Sequence, residues 1–158
     1  MQEKGLIDLR LAIEGIGINK IKKWGKKFGI KDAYAQGEGN LGVKMRRQIQ
    51  KVQKNNICSN INGLATIIIG TDLPSLSELD LIQALKKLEK TDLVLGPATD
   101  GGYWLLGLAG KLINPVTTAP FEGIKWGTSL VLSQTINNAK KKGLCYELIN
   151  YQDRKSVV

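Results

Sequence analysis

Apolar and polar side chains alternate along Leu6–Ile13 (LIDLRLAI), the period-two signature of a strand. Gly15 and Gly17 end it, and Asn19 is placed to N-cap a helix running to about Phe28, with Gly29 terminating it. A short extended segment, Asp32–Gln36, leads into Gly37-Glu38-Gly39-Asn40-Leu41-Gly42. A long amphipathic helix is predicted from there to about Lys54, because Leu41, Met45, Ile49 and Val52 recur every three or four residues. Leu64–Ile69 is continuously apolar and rich in isoleucine, as expected of a central strand buried on both sides. Ser77 and Asp80 have the spacing of a capping box, ahead of a helix expected to bury Leu81, Ile82, Leu85 and Leu88. Leu93–Leu95 and Tyr103–Leu108 read as strands joined by a hairpin. Gly127-Thr128 is expected to open a helix to about Lys142, closed by Gly143, and Leu144–Ile149 reads as a last strand. The polar tail from Asn150 to Val158 is expected to fray.

Strands alternating with helices argue for an α/β fold, a mostly parallel sheet with helices on both faces. The 158 residues suffice for one domain, expected over residues 1–150, with residues 151–158 as a flexible tail. Its apolar runs are far too short to cross a membrane, and the N-terminal residues lack the layout of a signal peptide, so a cytoplasmic location is expected. Histidine is absent, which removes the Ser-His-Asp triad and histidine base chemistry. Cys58 and Cys145 form no CxxC and are expected to be buried or inert thiols. Catalysis, if present, must rest on carboxylates, lysine, tyrosine, backbone amides or a hard cation. The net charge of +9 is concentrated in residues 1–62, which hold 13 Lys/Arg against 5 Asp/Glu. Solvated helix faces account for such runs, and attraction of an anionic partner is the alternative. Nucleic acid as that partner rests on charge alone, since no zinc-finger, RRM or KH signature is present.

Candidate chemistry sits where two apolar runs stop. In Gly70-Thr71-Asp72-Leu73-Pro74 the chain must turn sharply, with Gly70 permitting close backbone approach and Pro74 stiffening the exit. Asp72 there suits a divalent metal held by a carboxylate together with substrate phosphates, or equally an Asx-turn. In Gly96-Pro97-Ala98-Thr99-Asp100-Gly101-Gly102-Tyr103, Asp100 is a second metal ligand or a base, and Gly101 and Gly102 leave the backbone open to a ligand. An Asp-Gly hairpin turn explains the same residues and is compatible with that role. The glycine-rich segment Gln36–Gly42 either presents backbone amides to an anion, with Gln36 reading a nucleobase edge, or simply joins strand to helix. Trp126, in Phe121–Thr128, lines a pocket or caps the core with Phe121.

Taken together, QGEGNLGVKM, GTDLPSL, DLVLGPATDGGYWLLGL and FEGIKWGTS resemble, in that order, the signatures of a bacterial family of glycosyltransferase-A-fold proteins. Most members of that family have no assigned substrate. The chain is similar, more distantly, to the molybdenum-cofactor and phospholactate guanylyltransferases. The resemblance runs from about Tyr34 to Cys145 and implies a Rossmann-like nucleotide-diphospho-sugar transferase fold. It implies that Asp72 binds the metal, Mg²⁺ or Mn²⁺, and that Asp100, followed by Gly101, Gly102 and Tyr103, lies near metal and acceptor. Gln36, Gly39, Asn40 and Gly42 would surround the nucleotide base. Complete members begin with a strand and a Gly- and Lys/Arg-containing loop that cradles the phosphates. Residues 1–13 look instead like the second strand, so the phosphate loop is expected to be lost, to lie outside this chain or to come from another subunit. Asn40 stands where an acidic residue is usual and Lys44 where a glutamate is usual, and the Tyr151–Arg154 segment lacks an Asp-x-Asp ending.

The resemblance thus implies a transferase using a metal-bound nucleotide or nucleotide-sugar. A nucleotidyltransferase of the same fold is the alternative. A non-catalytic binding module is the other, with a sheet edge left open to pair with a second copy in a homo-oligomer.

Overall fold

The structure is a computed structural model that describes residues 7–58, 64–73, 75–112 and 119–150. Leu6, Pro74 and the tail 151–158, which carry expectations stated above, lie outside the described residues. The chain divides into two compact units, Met1–Gly39 and Asn40–Val158.

The first unit is a strand–helix–strand motif. Strand β1 (Arg10–Ile13) pairs in parallel with β2 (Asp32–Ala35), Arg10 opposite Asp32 and Ile13 opposite Ala35. Helix α1 (Ile18–Lys27) joins them and buries Ile21 and Gly25. A Cβ at Gly25 would lie 2.8 Å from the Ala33 Cβ, so glycine is what lets the helix lie so close to β2. Asn19 is not the N-cap: Gly17 is, with no side-chain hydrogen bond, and Asn19 is inside the first turn. At the other end Gly29, at φ +69°, donates its N–H to the Lys26 carbonyl and stops the helix as expected.

In the second unit, helix α2 (Leu41–Cys58) opens on Asn40, whose Oδ1 accepts the Val43 N–H at 3.0 Å. Met45 and Ile49 are buried, Val52 is half-buried, and Leu41 in the first turn stays exposed. Strands β3 (Thr66–Ile69), β4 (Leu93–Pro97), β5 (Tyr103–Leu108) and β6 (Tyr146–Leu148) form one sheet in the order β3-β5-β4-β6. Of its paired neighbours only β4 and β6 are parallel; β5 is antiparallel to both β3 and β4 and alone runs against the other three. The sheet is therefore mixed, not mostly parallel. The cause is the β4–β5 hairpin, which reverses the chain and inserts β5 between β3 and β4. The same insertion corrects the placement of the isoleucine-rich run. Among the described residues β3 is an edge strand and is half-buried, whereas every residue of β4 and β5 is buried.

Helices cover both faces. Leu93, Leu95, Leu106 and Leu108 pack with Met45 and Ile49 of α2 and with Val131 and Ala139 of α4 (Val131–Lys141). Val94, Trp104 and Leu105 pack on the other face with Ala84 and Leu88 of α3 (Glu78–Leu88). Ser77 and Asp80 form the expected capping box, Ser77 N–H donating to the Asp80 carboxylate at 2.9 Å. The stripe of α3 that packs on the core runs through half-buried Leu81 and buried Ala84 and Leu88, however. Ile82 and Leu85 sit on its flanks, 37% and 38% exposed, because apolar type alone does not tell stripe from flank. Helix α4 begins three residues later than expected, at Val131, after a turn at Gly127–Leu130, and closes near Gly143 at φ +67°. Cys145 is a free, exposed thiol, not a buried one.

Candidate functional site

Pairing of β5 with both neighbours brings the C-terminal ends of β3 and β4 and the start of β5 to one end of the sheet. Ile69 lies opposite Leu105, and Pro97 opposite Tyr103. Between Gly96 and Pro97 the register slips: Gly96 faces Leu105, so Trp104 is the extra residue of a bulge. Consequently Trp104 and Leu105 both join one core face, while Tyr103 and Leu106 join the other. Bulges re-aim side chains and end pairing, and they recur beside functional sites.

Asp72 is one product of this end. Gly70 donates its N–H to the Trp104 carbonyl at 3.0 Å, tying the end of β3 to the bulge. The Asp72 carboxylate lies back over Gly70, where a Cβ would be 2.8 Å from Oδ1. Asp72 is exposed, and among the described residues its carboxylate makes no hydrogen bond or ion pair.

The second product is the turn from Ala98 to Gly102. Ala98 N–H donates to the Gly102 carbonyl at 3.0 Å, and Gly101 N–H to the Ala98 carbonyl at 3.1 Å. Asp100 is exposed, and its Oδ1 accepts the Gly102 N–H at 2.9 Å. The expected hairpin turn is therefore present, and one carboxylate oxygen of Asp100 helps to hold it. Gly101 is at φ +84°, and a Cβ there would fall 2.2 Å from the Ser129 carbonyl oxygen. Leu132 N–H donates to the Gly101 carbonyl at 3.0 Å, so the turn is clamped against the residues preceding α4.

That preceding segment is itself braced. Thr128 Oγ1 donates to the Lys125 carbonyl at 2.8 Å, and Lys125 N–H donates to Gln134 Oε1 at 2.7 Å. Trp126 is half-buried, stacks on Phe121 with ring centroids 6.5 Å apart, and lies against the backbone of Gly42. A Cβ at Gly42 would be 2.5 Å from its ring, so the first turn of α2, opened by Asn40, is joined to this end of the sheet through Trp126.

Asp72, Asp100, Gly101 and Gly102 thus share one end of the sheet, with Trp126, Gly42 and Asn40 linked to it by packing. Gln36 and Gly39 belong to the first unit. There the Gln36 side-chain amide donates to the Ala12 carbonyl at 3.2 Å, bracing β1 against β2. Tyr103 points into the core, 9% exposed. Ser129 and Gln134 carry no sequence signal for this bracing role, whereas Thr128, expected above to open the helix, carries just after Gly127 the composition of a side-chain-stabilised turn.

Burial lifts the Tyr103 phenol well above its ordinary value of 10.0, an effect that the adjacent Thr135 hydroxyl opposes. A group whose folded value is raised contributes stability in full below its unfolded value and loses it as pH climbs toward the folded one. Stability is therefore expected to fall as pH rises above 10, and Tyr103→Phe to flatten that alkaline decline. Urea midpoints of the two proteins between pH 8 and 11 check this; parallel curves would contradict it.

The model of a family described as uncharacterized protein conserved in bacteria (DUF2064) matches residues 1–128. The chain belongs to the DUF2064 family. A comparison with curated proteins finds no match. Among solved structures, the DUF2064 chain is similar to a candidate nucleotide-diphospho-sugar transferase from Desulfovibrio desulfuricans G20. The two share a TM-score of 0.75 and 23% identity, over 94% of this chain and 62% of the other. The DUF2064 chain thus spans less than two thirds of that structure and has a nucleotide-diphospho-sugar transferase-like α/β fold. No helix among the described residues is long and apolar enough to cross a membrane.

Proposed function

We propose that this DUF2064 protein binds a nucleoside diphosphate, or a nucleotide-sugar, together with Mg²⁺ or Mn²⁺, and acts as a glycosyltransferase-like transferase. The observation that carries the reading is the meeting of exposed Asp72 and the Asp100–Gly102 turn at one end of the sheet, in a fold shared with a candidate nucleotide-sugar transferase. The residues fit a metal that arrives with its substrate. No group of three His, Cys, Asp or Glu that could hold an ion occurs among the described residues. Mg²⁺ bound through phosphates needs only one or two protein carboxylates. Asp72, exposed and without a hydrogen bond or ion pair among the described residues, is the stronger ligand candidate; Asp100, whose Oδ1 accepts from its own turn, would orient metal or acceptor.

A bound metal would neutralise the diphosphate and stabilise the leaving group. The chain's part is positional: Gly70 keeps the space beside Asp72 free, Gly101 packs on the Ser129 backbone and Gly102 bonds Asp100, so that the turn fixes Asp100 rather than opening its own backbone to a ligand, and Trp126 offers an aromatic wall. Sugar transfer and nucleotidyl transfer share this requirement and are told apart by which product carries the nucleotide. Calorimetric titration with nucleoside diphosphates and nucleotide-sugars, with and without Mn²⁺, tests the reading. Metal-dependent binding is expected, weakened at least tenfold by Asp72→Asn; absence of metal-dependent binding to all of them would end it. Binding without turnover of any nucleotide-sugar would favour the non-catalytic module.

A further inference from the structure

Helix α1 carries Lys20, Lys22, Lys23, Lys26 and Lys27 and no acidic residue. Cations in the last turn offset the negative end of the helix dipole, which accounts for Lys26 and Lys27. It accounts neither for Lys22, a turn earlier, nor for Lys31, beyond the helix. Lys22, Lys26 and Lys31 instead line one concavity of about 290 Å³, with Gly29, Ile30 and Ala33 completing it. Lys22 and Lys26, four residues apart, are like-charged neighbours on the helix, a placement that costs helix stability. No carboxylate lines the concavity, and none of its three ammonium groups forms an ion pair among the described residues. Gly29 adds no side chain, and a Cβ there would meet nothing within 4 Å, so that side is open. Buried Ala33 and half-buried Ile30 supply an apolar part.

We propose that this concavity is a binding site for a small phosphorylated anion of diphosphate size. Concave, partly apolar surfaces with a few convergent polar groups are where small ligands bind, and this volume is near the lower end of their range. Three exposed lysines on its lining, without an ion pair among the described residues, supply the complementary charge. The site lies wholly within the first unit, uses none of the residues assigned to the metal-nucleotide site, and needs no metal.

The test is titration of the full chain with inorganic pyrophosphate in EDTA, followed by amide NMR and calorimetry. Saturable shifts are expected at the amides of Gly29, Ile30 and Ala33. The combined variant Lys22→Gln, Lys26→Gln and Lys31→Gln should weaken binding at least tenfold, while Asp72→Asn should leave it unchanged. Lys86→Gln with Lys90→Gln, on and just beyond α3, should also have no effect. The proposal is overturned if those three amides do not shift, if the triple variant binds within twofold of the parent, or if the Lys86 and Lys90 control weakens binding equally. The amide map on the unaltered protein decides the matter even if the triple variant fails to fold.

Discussion

Trp104→Ala is expected to cost about 3–5 kcal/mol of stability, the usual range for truncating a buried aromatic. Trp104 is 1% exposed and packs in the core formed with Leu73, Ala84 and Leu88. Its ring lies against Gly96, where a Cβ would be 2.5 Å away, and its Nε1 donates to the Asn150 carbonyl at 3.3 Å. Alanine removes that hydrogen bond and opens a cavity between the sheet and α3. Folded domains are stable by roughly 5–15 kcal/mol, so the loss is a large part of the total. A fall in Tm on the order of 10 °C follows for a chain of this size. The effect reaches the site as well, because the Trp104 backbone anchors Gly70 and hence Asp72. Thermal unfolding followed by circular dichroism measures it, and a loss below about 1 kcal/mol would contradict the packing described.

Gly101→Ala is expected to cost about 2–5 kcal/mol, from two separate sources. Holding a non-glycine residue in the left-handed region costs roughly 1–2 kcal/mol. Overpacking adds about 1–3 kcal/mol, because the obstructing atom is the Ser129 backbone oxygen, which has no rotamer to escape into. Gly123→Ala separates the two, since Gly123 is at φ +63° and a Cβ there meets nothing within 4 Å. Its cost should be the conformational part alone. In the fraction of Gly101→Ala that folds, the turn presenting Asp100 is displaced from Ser129, and metal-dependent nucleotide binding should fall with it. Chemical denaturation of both variants provides the comparison; equal losses would mean that the clamp on the turn contributes nothing.

Local features were legible from the residues. The capping box of Ser77 and Asp80, the helix stop at Gly29 and the Asp100 hairpin depend on chemistry within a few positions, and all three are present. Strand order was not legible. Ile67–Ile69 and Leu93–Leu95 read alike as apolar runs, yet the first is at an edge and the second is central, because the β4–β5 hairpin decides where β5 inserts. Ile82 and Leu85 failed for a related reason: the face a helix buries is chosen by the sheet it meets. At the site, Asp72 and Asp100 could be named from their turns, but the Ser129 clamp depends on a contact 28 positions along the chain. The Gln36 amide has the chemistry to read a base edge, yet here it braces β1.

Water-proton relaxation of Mn²⁺ in the presence of a nucleoside diphosphate, recorded with the unaltered protein and with Asp72→Asn, tests the central claim most directly. A ternary enhancement with the unaltered protein that Asp72→Asn abolishes, while its circular dichroism spectrum is unchanged, is the predicted result. No ternary enhancement, or one that survives in Asp72→Asn, would contradict a metal-nucleotide site at this end of the sheet.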